Sequence, residues 1–565
     1  MAEFASAGSP AAGRKSRRRA AWLTIALFLC SALFLVVSMR RSLNGYDEGI
    51  VLVGAMRVLA GDVIHRDFYA NYGPAQFYVL SALFSLFGPM VLVERGWDLA
   101  IRAGTTILCY LLAARLANRS LAARVYLGSL IWLAALGFYG YTVFPALFFA
   151  LVSIYLLLPL YEGRIAGPGI LWAGIAAGVV ALFRYDVGVA VAAAEALVAL
   201  VFLLLQPALP PGTQRRRAAR FILFYAAGCA IPTIPVATAY VMLGVTGDFW
   251  FDIVYFPTRY YAAMRSLPLP PIRLGSISGI YDASVYLPVV ISIMAAFSLI
   301  GPNRRVGGAE GAEFVGWRHD RSWAVLQLLV LTIIFFLKGV VRVSPIQAAM
   351  AIVLSLVLVA AIAGPQLARR QNAGAIAAAS LLVVGYITAA PLVMALAQAS
   401  ANLRWMAEQT ASAGPNGSGY GSCHPPPGLE RLACLEASTA TLDAVRYVEA
   451  ITQPGDYLFV GAGRHDKIFA NELSFYFLAQ RRPAMKWHQF DPGLQNSVAV
   501  QTEMIAELKE RKPPVIVLDA EFDTVIEPNA SSHSSHVVVL DQFIGANYRV
   551  IKRFGDISVL TRVAD

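Results

Sequence analysis

The sequence predicts an α-helical polytopic membrane protein carrying a small C-terminal α/β soluble domain. Three observations predict it. Of the 565 residues 58% are hydrophobic and only 14% charged, against roughly 25% charged in soluble domains. Uncharged stretches of bilayer length recur up to residue 403. Beyond Arg404 the composition changes to that of a soluble chain.

The uncharged stretches cover residues 20–39, 75–93, 125–161, 165–183, 221–247, 283–303, 343–368 and 371–403. About twenty apolar residues span a bilayer as a helix, so 125–161 holds two. Residues 322–337 are shorter and bounded by charges; 187–206 is apolar except for Glu195, and 99–114 except for Arg102. The count is about twelve segments, within a range of 11–13 transmembrane helices.

The chain starts with a basic run, Arg14, Lys15, Arg17, Arg18 and Arg19, followed by an apolar stretch ending in Met39-Arg40-Arg41. The stretch is long and lacks a small-residue cleavage site, so it reads as a signal anchor with residues 1–19 as a cytoplasmic tail.

The net charge of +11 is not a nucleic-acid signature. Residues 404–565 hold 15 Lys+Arg against 19 Asp+Glu, whereas the preceding residues hold 31 against 16. The excess sits in short loops: Arg115, Arg119 and Arg124; Arg215–Arg217 with Arg220; Arg304, Arg305, Arg318 and Arg321; Arg369 and Arg370. Positive loops stay cytoplasmic. On that rule 221–247 crosses outward, 248–282 is an external loop, 283–303 returns, and 304–321 is inside. Then 322–337 goes out, Lys338 to Arg342 lies at the external surface, 343–368 comes back, and 371–403 exits. Residues 20–403 are the membrane domain, with a first external loop at 40–74, and 404–565 is external. An internal N-terminus and an external C-terminal domain require an odd number of crossings, and twelve is even: either one early segment fails to span, or a further crossing lies between Val125 and Gln206.

Residues 411–427 are rich in Gly, Ser and Pro and read as a linker. After them helices are predicted over 442–452, 472–480, 501–511 and 535–546. Strands are predicted over 455–461 and 514–519, and a terminal hairpin over 548–554 and 557–562. Short strands alternating with helices predict the α/β domain. Cys30, Cys109 and Cys229 lie in apolar spans. Cys423 and Cys434 lie close together at the start of the external domain, where an oxidising compartment permits a disulfide; free thiols are the alternative. No metal-ligand cysteine spacing, phosphate-binding glycine loop or Gly-x-Ser-x-Gly elbow is present.

The chemistry concentrates just past the first apolar stretch, in Asn44-Gly45-Tyr46-Asp47-Glu48-Gly49. About twenty residues on comes Arg66-Asp67-Phe68-Tyr69-Ala70-Asn71-Tyr72-Gly73-Pro74. Acidic residues at the mouth of a membrane domain are costly when desolvated, and a catalytic base is one reason to keep them there.

Tyr46-Asp47-Glu48, an amphipathic stretch over 50–59 ending at Gly61-Asp62, Arg66-Asp67-Phe68, Tyr72-Gly73-Pro74, Leu86-Phe87-Gly88, and Arg95 through Arg102 follow one another in the first 110 residues or so. This order resembles the first external loop of the integral-membrane glycosyltransferases of the GT-C fold. The similarity is greatest to protein O-mannosyltransferases and lipid A aminoarabinose transferases. Those families usually have Pro-Pro or His-Pro-Pro before the second helix, where this chain has Tyr72-Gly73-Pro74. The resemblance implies a polyprenyl-phosphate sugar donor, transfer with inversion on the outer face of the membrane, and a first-loop acid that acts as base or orients the acceptor. It requires no cofactor and names no metal site, although a divalent cation is compatible with it. Membrane lipids and a glycan, lipid or protein acceptor complete the partners, with no nucleic acid. The location implied is the inner, cytoplasmic membrane, multi-pass, with the active site facing the periplasm.

The chemistry is consistent in itself. An acceptor hydroxyl attacking an anomeric carbon needs a base, and a phosphate leaving group needs charge stabilisation more than a proton. The catalytic candidates are Asp47, Glu48 and Asp67. Asp47 reads as base or as the N-cap of the helix that follows, Glu48 as a site residue or a solvated neighbour, and Asp67 as cavity-lining or paired to Arg66. Lys338, Arg342 and Arg259 are the candidates for the donor phosphate; headgroup snorkelling is the alternative for the first two. Arg66, Tyr72, Arg184, Asp186 and His465 are further cavity candidates. His65 reads as structural, and Glu195 as a partnered packing residue or a cavity group. His488 to Asp491 could face the cavity. The competing classes are a transporter or flippase for lipid-linked glycan, against which no inverted repeat is visible, and a non-catalytic scaffold with an external binding domain.

Overall fold

The computed structural model describes residues 10–137, 139–164, 167–206, 210–300, 319–368, 373–411 and 422–563. The basic residues Arg304, Arg305, Arg318, Arg369 and Arg370, and linker residues 412–421, lie outside them, as does the start of the basic tail.

The chain opens with α1 (Pro10–Val37), α2 (Asp47–Leu59), α3 (Pro74–Phe87), α4 (Val91–Leu116), α5 (Arg119–Ala135), α6 (Val143–Tyr161), α7 (Gly167–Phe183), α8 (Tyr185–Leu204) and α9 (Pro211–Met242). A helical arm follows: α10 (Thr246–Trp250), π-helical turns at Phe251–Tyr255 and Pro257–Tyr261, and α11 (Ala262–Arg265). Then come α12 (Ile277–Ala283), α13 (Leu287–Ile300), α14 (His319–Gly339), α15 (Pro345–Ala368) and α16 (Ala373–Ala411). Eight helices among the described residues are long and apolar enough to cross a membrane, and three shorter apolar ones accompany them. Helix α15 is the axis of the bundle, with residues 348–363 buried. Pro159, Pro232, Pro235 and Pro391 lie inside helices, where neighbouring helices tolerate such interruptions.

Helix α3 departs from the sequence expectation of a spanning segment over 75–93. Its 14 residues extend about 21 Å, short of a hydrocarbon core of about 30 Å. It packs on α2 and across the end of the bundle. Ala75 and Val79 meet the bundle core, Phe77 and Phe84 enter the core shared with α2, and Leu86 and Phe87 are exposed. A helix with three such faces is apolar all round without crossing anything.

The C-terminal domain contains α17 (Thr439–Ile451), β1 (Tyr457–Ala462), α18 (Ser474–Leu478), β2 (Arg482–Pro483), α19 (Val498–Arg511), β3 (Val515–Asp519), α20 (Val539–Asn547), β4 (Tyr548–Phe554) and β5 (Ile557–Arg562). The sheet order is β2-β1-β3-β5-β4, with β1 parallel to β2 and β3, and the β4–β5 hairpin antiparallel on β3. Ser438 and Ser497 cap α17 and α19 with their side chains. Alternation splits the strands between two cores: Val460 and Val517 face Val445 and Phe475, while Phe459 and Ile516 face Met504, Leu508 and Ile544. Cys423 and Cys434 form a disulfide.

The first of these cores is continuous with Ile50, Val51, Phe77, Leu80 and Phe84 of α2 and α3. Backbone bonds reinforce the seam: Leu43 N–H donates to Glu436, Glu436 to Arg41, Ser474 to Gly45, and Tyr69 to Lys486. The first loop is therefore clamped between the bundle and the C-terminal domain, and this places Asp47.

Candidate active site

Asn44, Asp47 and Glu48 build the start of α2 together. The Asn44 side-chain oxygen accepts from the N–H of Tyr46 at 3.1 Å and of Asp47 at 2.9 Å. Glu48 reaches back to the Asn44 N–H at 3.1 Å. This reciprocal arrangement closes a helix N-terminus, and Asn44 performs it. The Asp47 carboxylate is left out of the cap and accepts only a 3.3 Å bond from the Asn44 amide nitrogen. Gly45 is required sterically, because a Cβ there would lie 1.8 Å from the Glu472 carboxylate.

Glu48 is fully buried and grips Arg95 through two bonds of 2.7 and 2.9 Å. Arg95 in turn donates to the carbonyls of Arg40 at 2.5 Å and Ser42 at 3.0 Å. Glu48 therefore ties the end of α1 and the start of α2 to α4. Asp67 pairs with its neighbour Arg66 through two 2.9 Å bonds and caps Val63 N–H, with Arg66 45% exposed. That pair stands on the surface, away from the Asp47 group.

Asp47 stands within electrostatic reach of Arg265 and Arg342. Burial raises its pKa above the ordinary aspartate value, and the Arg265 charge opposes the rise. Arg265, at the end of α11, pairs with Asp491 at 3.1 Å and lies over the Phe469 ring. Arg342 makes a bidentate pair with Glu527, at 2.6 and 2.8 Å, and lies over the same ring. Asp491 also accepts from Tyr46, Tyr69, Asn71 and Gln489. Lys338, at the end of α14, donates to the Tyr141 hydroxyl and, at 2.9 Å, to Gln347. No carboxylate among the described residues lies within ion-pair distance of it.

Arg184 pairs with Asp186 at 2.6 Å, and its guanidinium sits 5.7 Å from the centre of the Tyr72 ring. The Tyr72 hydroxyl lies within reach of Asp47, Tyr141 and Arg184. Gly73 lets this segment dock on the end of α7, since a Cβ would meet the Leu182 carbonyl oxygen at 2.2 Å. Its N–H donates to Phe183. Glycine at the second position of Tyr72-Gly73-Pro74 thus has a packing cause.

The structure brings Asp47, Tyr72, Arg184, Asp186, Lys338 and Arg342 into one neighbourhood, and adds Arg265, Tyr141, Gln347 and Asp491. It leaves Arg259 exposed on a π-helical turn. His465 lies inside the C-terminal domain, bonded to Asp541 at 2.7 Å and flanked by Phe459 and Phe490. His65 is a buried partner of Asp252 at 2.8 Å, and Glu195 accepts from Ser153 and Tyr225 inside the bundle.

Glu472, which abuts Gly45, brings a ligand oxygen within 4.8 Å of those of Asp519 and Glu521 in the C-terminal domain, an arrangement suited to a cation. Around Asp47, Arg265, Arg342 and Arg184 are each paired with a carboxylate, and Lys338 is the cation there with no ion pair among the described residues.

No known family profile matches the sequence. No curated protein matches it either. Solved structures do. ArnT from Cupriavidus metallidurans, bound to undecaprenyl phosphate, superposes with a TM-score of 0.51 at 14% identity, over 96% of this chain and 98% of that one. The Archaeoglobus fulgidus oligosaccharyltransferase, in complex with Zn and sulfate, superposes with a TM-score of 0.52 at 13% identity, over 88% of this chain and 68% of that one.

Proposed function

We propose, from the GT-C fold this chain shares with those structures, that it is a membrane glycosyltransferase. In this reading it takes a sugar from a polyprenyl-phosphate donor at the outer face of the membrane and passes it to a lipid, glycan or protein acceptor. The observation that carries the reading is that Asp47, a half-buried carboxylate outside the helix cap, and Lys338, hydrogen-bonded only to neutral oxygens among the described residues, both reach Tyr141. Asp186 acts on Lys338 only from beyond ion-pair distance, and a donor phosphate would supply the close anionic partner such an ammonium favours.

Asp47 takes the proton of the acceptor hydroxyl as its oxygen attacks the anomeric carbon. The anomeric carbon–oxygen bond breaks, and its electron pair leaves with the phosphate. Lys338 and Arg342 hold that phosphate, with Arg265 and Arg184 adding positive field. Attack opposite the leaving group inverts the anomeric centre. Glu48 serves by locking the loop that carries Asp47, not by touching substrate.

Reading α3 as a surface helix leaves eleven bundle helices among the described residues, counting α12 and α13 as one. An odd number agrees with a cytoplasmic N-terminus and an external C-terminal domain in the inner membrane. Purified protein incubated with labelled polyprenyl-phosphate sugars should transfer or release the sugar, and the Asp47→Asn variant should not. Movement of intact donor across a vesicle membrane without cleavage would overturn the reading in favour of a flippase.

A further inference from the structure

Ten residues beyond Asp47, about 15 Å along α2, Arg57 forms the floor of a second cavity between α2 and the C-terminal domain, of about 100 Å³. Met56 and Phe477 give it an apolar wall, and Arg431, Arg481 and Arg482 join Arg57 around it.

Two of these guanidiniums are spent. Arg57 binds Asp62, the Met485 and Asp67 carbonyls and His488. Arg481 donates to Thr452 and to the carbonyls of Ala479 and Glu449. The other two have donors to spare. Arg431 makes one hydrogen bond, to the Phe477 carbonyl at 2.7 Å, and lies over that ring. Arg482 makes one, to Asp62 at 2.8 Å, and is 49% exposed. Asp62 is shared between Arg57 and Arg482. Glu449 acts on Arg431 and Arg481 from beyond ion-pair distance. Glu430 stands beside Glu449, and Glu507 and Arg511 act on Arg57, so the four arginines lining the cavity face Asp62 as their one ion-paired carboxylate among the described residues.

The geometry points to a binding site for a phosphomonoester anion in this cavity, gripped by Arg431 and Arg482. The fork of a guanidinium matches phosphate oxygens. The volume accommodates a phosphate group. The turn carrying Arg431 packs against α4, whose first residues follow the exposed apolar end of α3. The site is separate from the group around Asp47 and does not depend on the function proposed above.

The test uses the full chain in neutral detergent, with dihexanoyl phosphatidic acid, dihexanoyl phosphatidylcholine and inorganic phosphate titrated by calorimetry. Phosphatidic acid should bind, and the Arg431→Gln/Arg482→Gln variant should bind it at least tenfold more weakly. Inorganic phosphate binding with the same loss assigns the site to a free anion; phosphatidic acid alone assigns it to a lipid headgroup. Arg482→Gln alone, at an exposed side chain, should weaken binding at least threefold, which keeps the test valid if the double variant misfolds. Equal affinities in wild type and both arginine variants, or binding of phosphatidylcholine as tight as phosphatidic acid, would each overturn the inference.

Discussion

The Tyr46 hydroxyl donates to the Phe490 carbonyl at 2.5 Å and shares its proton more weakly with the Asp491 carboxylate at 3.2 Å, joining the residue before Asp47 to a loop of the C-terminal domain more than four hundred residues away. Tyr69, Asn71, Gln489 and Arg265 converge on the same carboxylate. Five donors on one buried group make it a positioning residue: they tie the residue before Asp47, residues 69–71 and α11 to one loop of the C-terminal domain.

Asp491→Asn keeps the size but removes the charge that satisfies Arg265. Losing charge-assisted bonds costs roughly 1.5–3 kcal/mol each. The variant should lose turnover by tenfold or more, with faster amide exchange in residues 44–49 and 69–72. Unchanged exchange there would show that Asp491 does not hold the loop.

Asp47→Asn should melt like the wild type, because Asn44 supplies the cap, and should lose roughly a hundredfold or more in turnover. Its pKa lies above the ordinary aspartate value. Activity needs the deprotonated form, so the acidic limb of the kcat/KM profile should fall above the usual aspartate range and vanish in the variant. Glu48→Gln should behave oppositely. It breaks a buried pair with Arg95, a loss worth about 3–5 kcal/mol, so its signature is a lower Tm and folded yield. Retention of more than about a tenth of wild-type turnover in Asp47→Asn would move the base elsewhere.

Lys338→Met removes a half-buried ammonium whose hydrogen bonds among the described residues go to Tyr141 and Gln347. Without donor the variant should be at least as stable as the wild type. Donor affinity should fall by an order of magnitude or more, read by titration of a polyprenyl phosphate. Normal affinity would make Lys338 a structural group.

Glu472 is buried beside Gly45, and burial pushes its pKa up to about 7. In the unfolded chain it titrates in the ordinary glutamate range. Between these values the unfolded state has released a proton that the folded state retains, so stability falls as pH rises through that window and is level above it. Glu472→Gln should therefore raise Tm at pH 8, by at most about 3 kcal/mol of stability, and change little at pH 4. An equal shift at both pH values would exclude titration of Glu472 as the cause.

Asp47 is legible in the sequence because an acid between two apolar stretches is conspicuous, and the β4–β5 hairpin because alternation and a Gly-Asp turn mark it. Arg265 is not legible. Arg259 has the same aromatic surroundings, and the π-helical turns at Phe251–Tyr255 and Pro257–Tyr261 shift which side chain faces the bundle. Asp491 falls in the stretch His488 to Asp491 that could face the cavity, whereas Glu527 reaches the site only through tertiary folding. Helix α3 misleads because hydrophobicity reports apolar neighbours without saying whether they are lipid or protein. Asn44 could have been found: an Asn three residues before an acid, with Glu next, is a cap signature.

The Arg342–Glu527 pair has a thermodynamic consequence. Glu527 belongs to the segment whose Asn529 also bonds the Ser266 carbonyl, so this contact helps seat the C-terminal domain on the arm. An anion arriving at Arg342 competes with Glu527 for the same donors. Whatever the anion gains there is reduced by the contact it displaces, and whatever loosens the domain frees the donors. Occupancy and docking are thus reciprocal readings of a single coupling free energy, and the tightness of the seam sets how readily a phosphate is released.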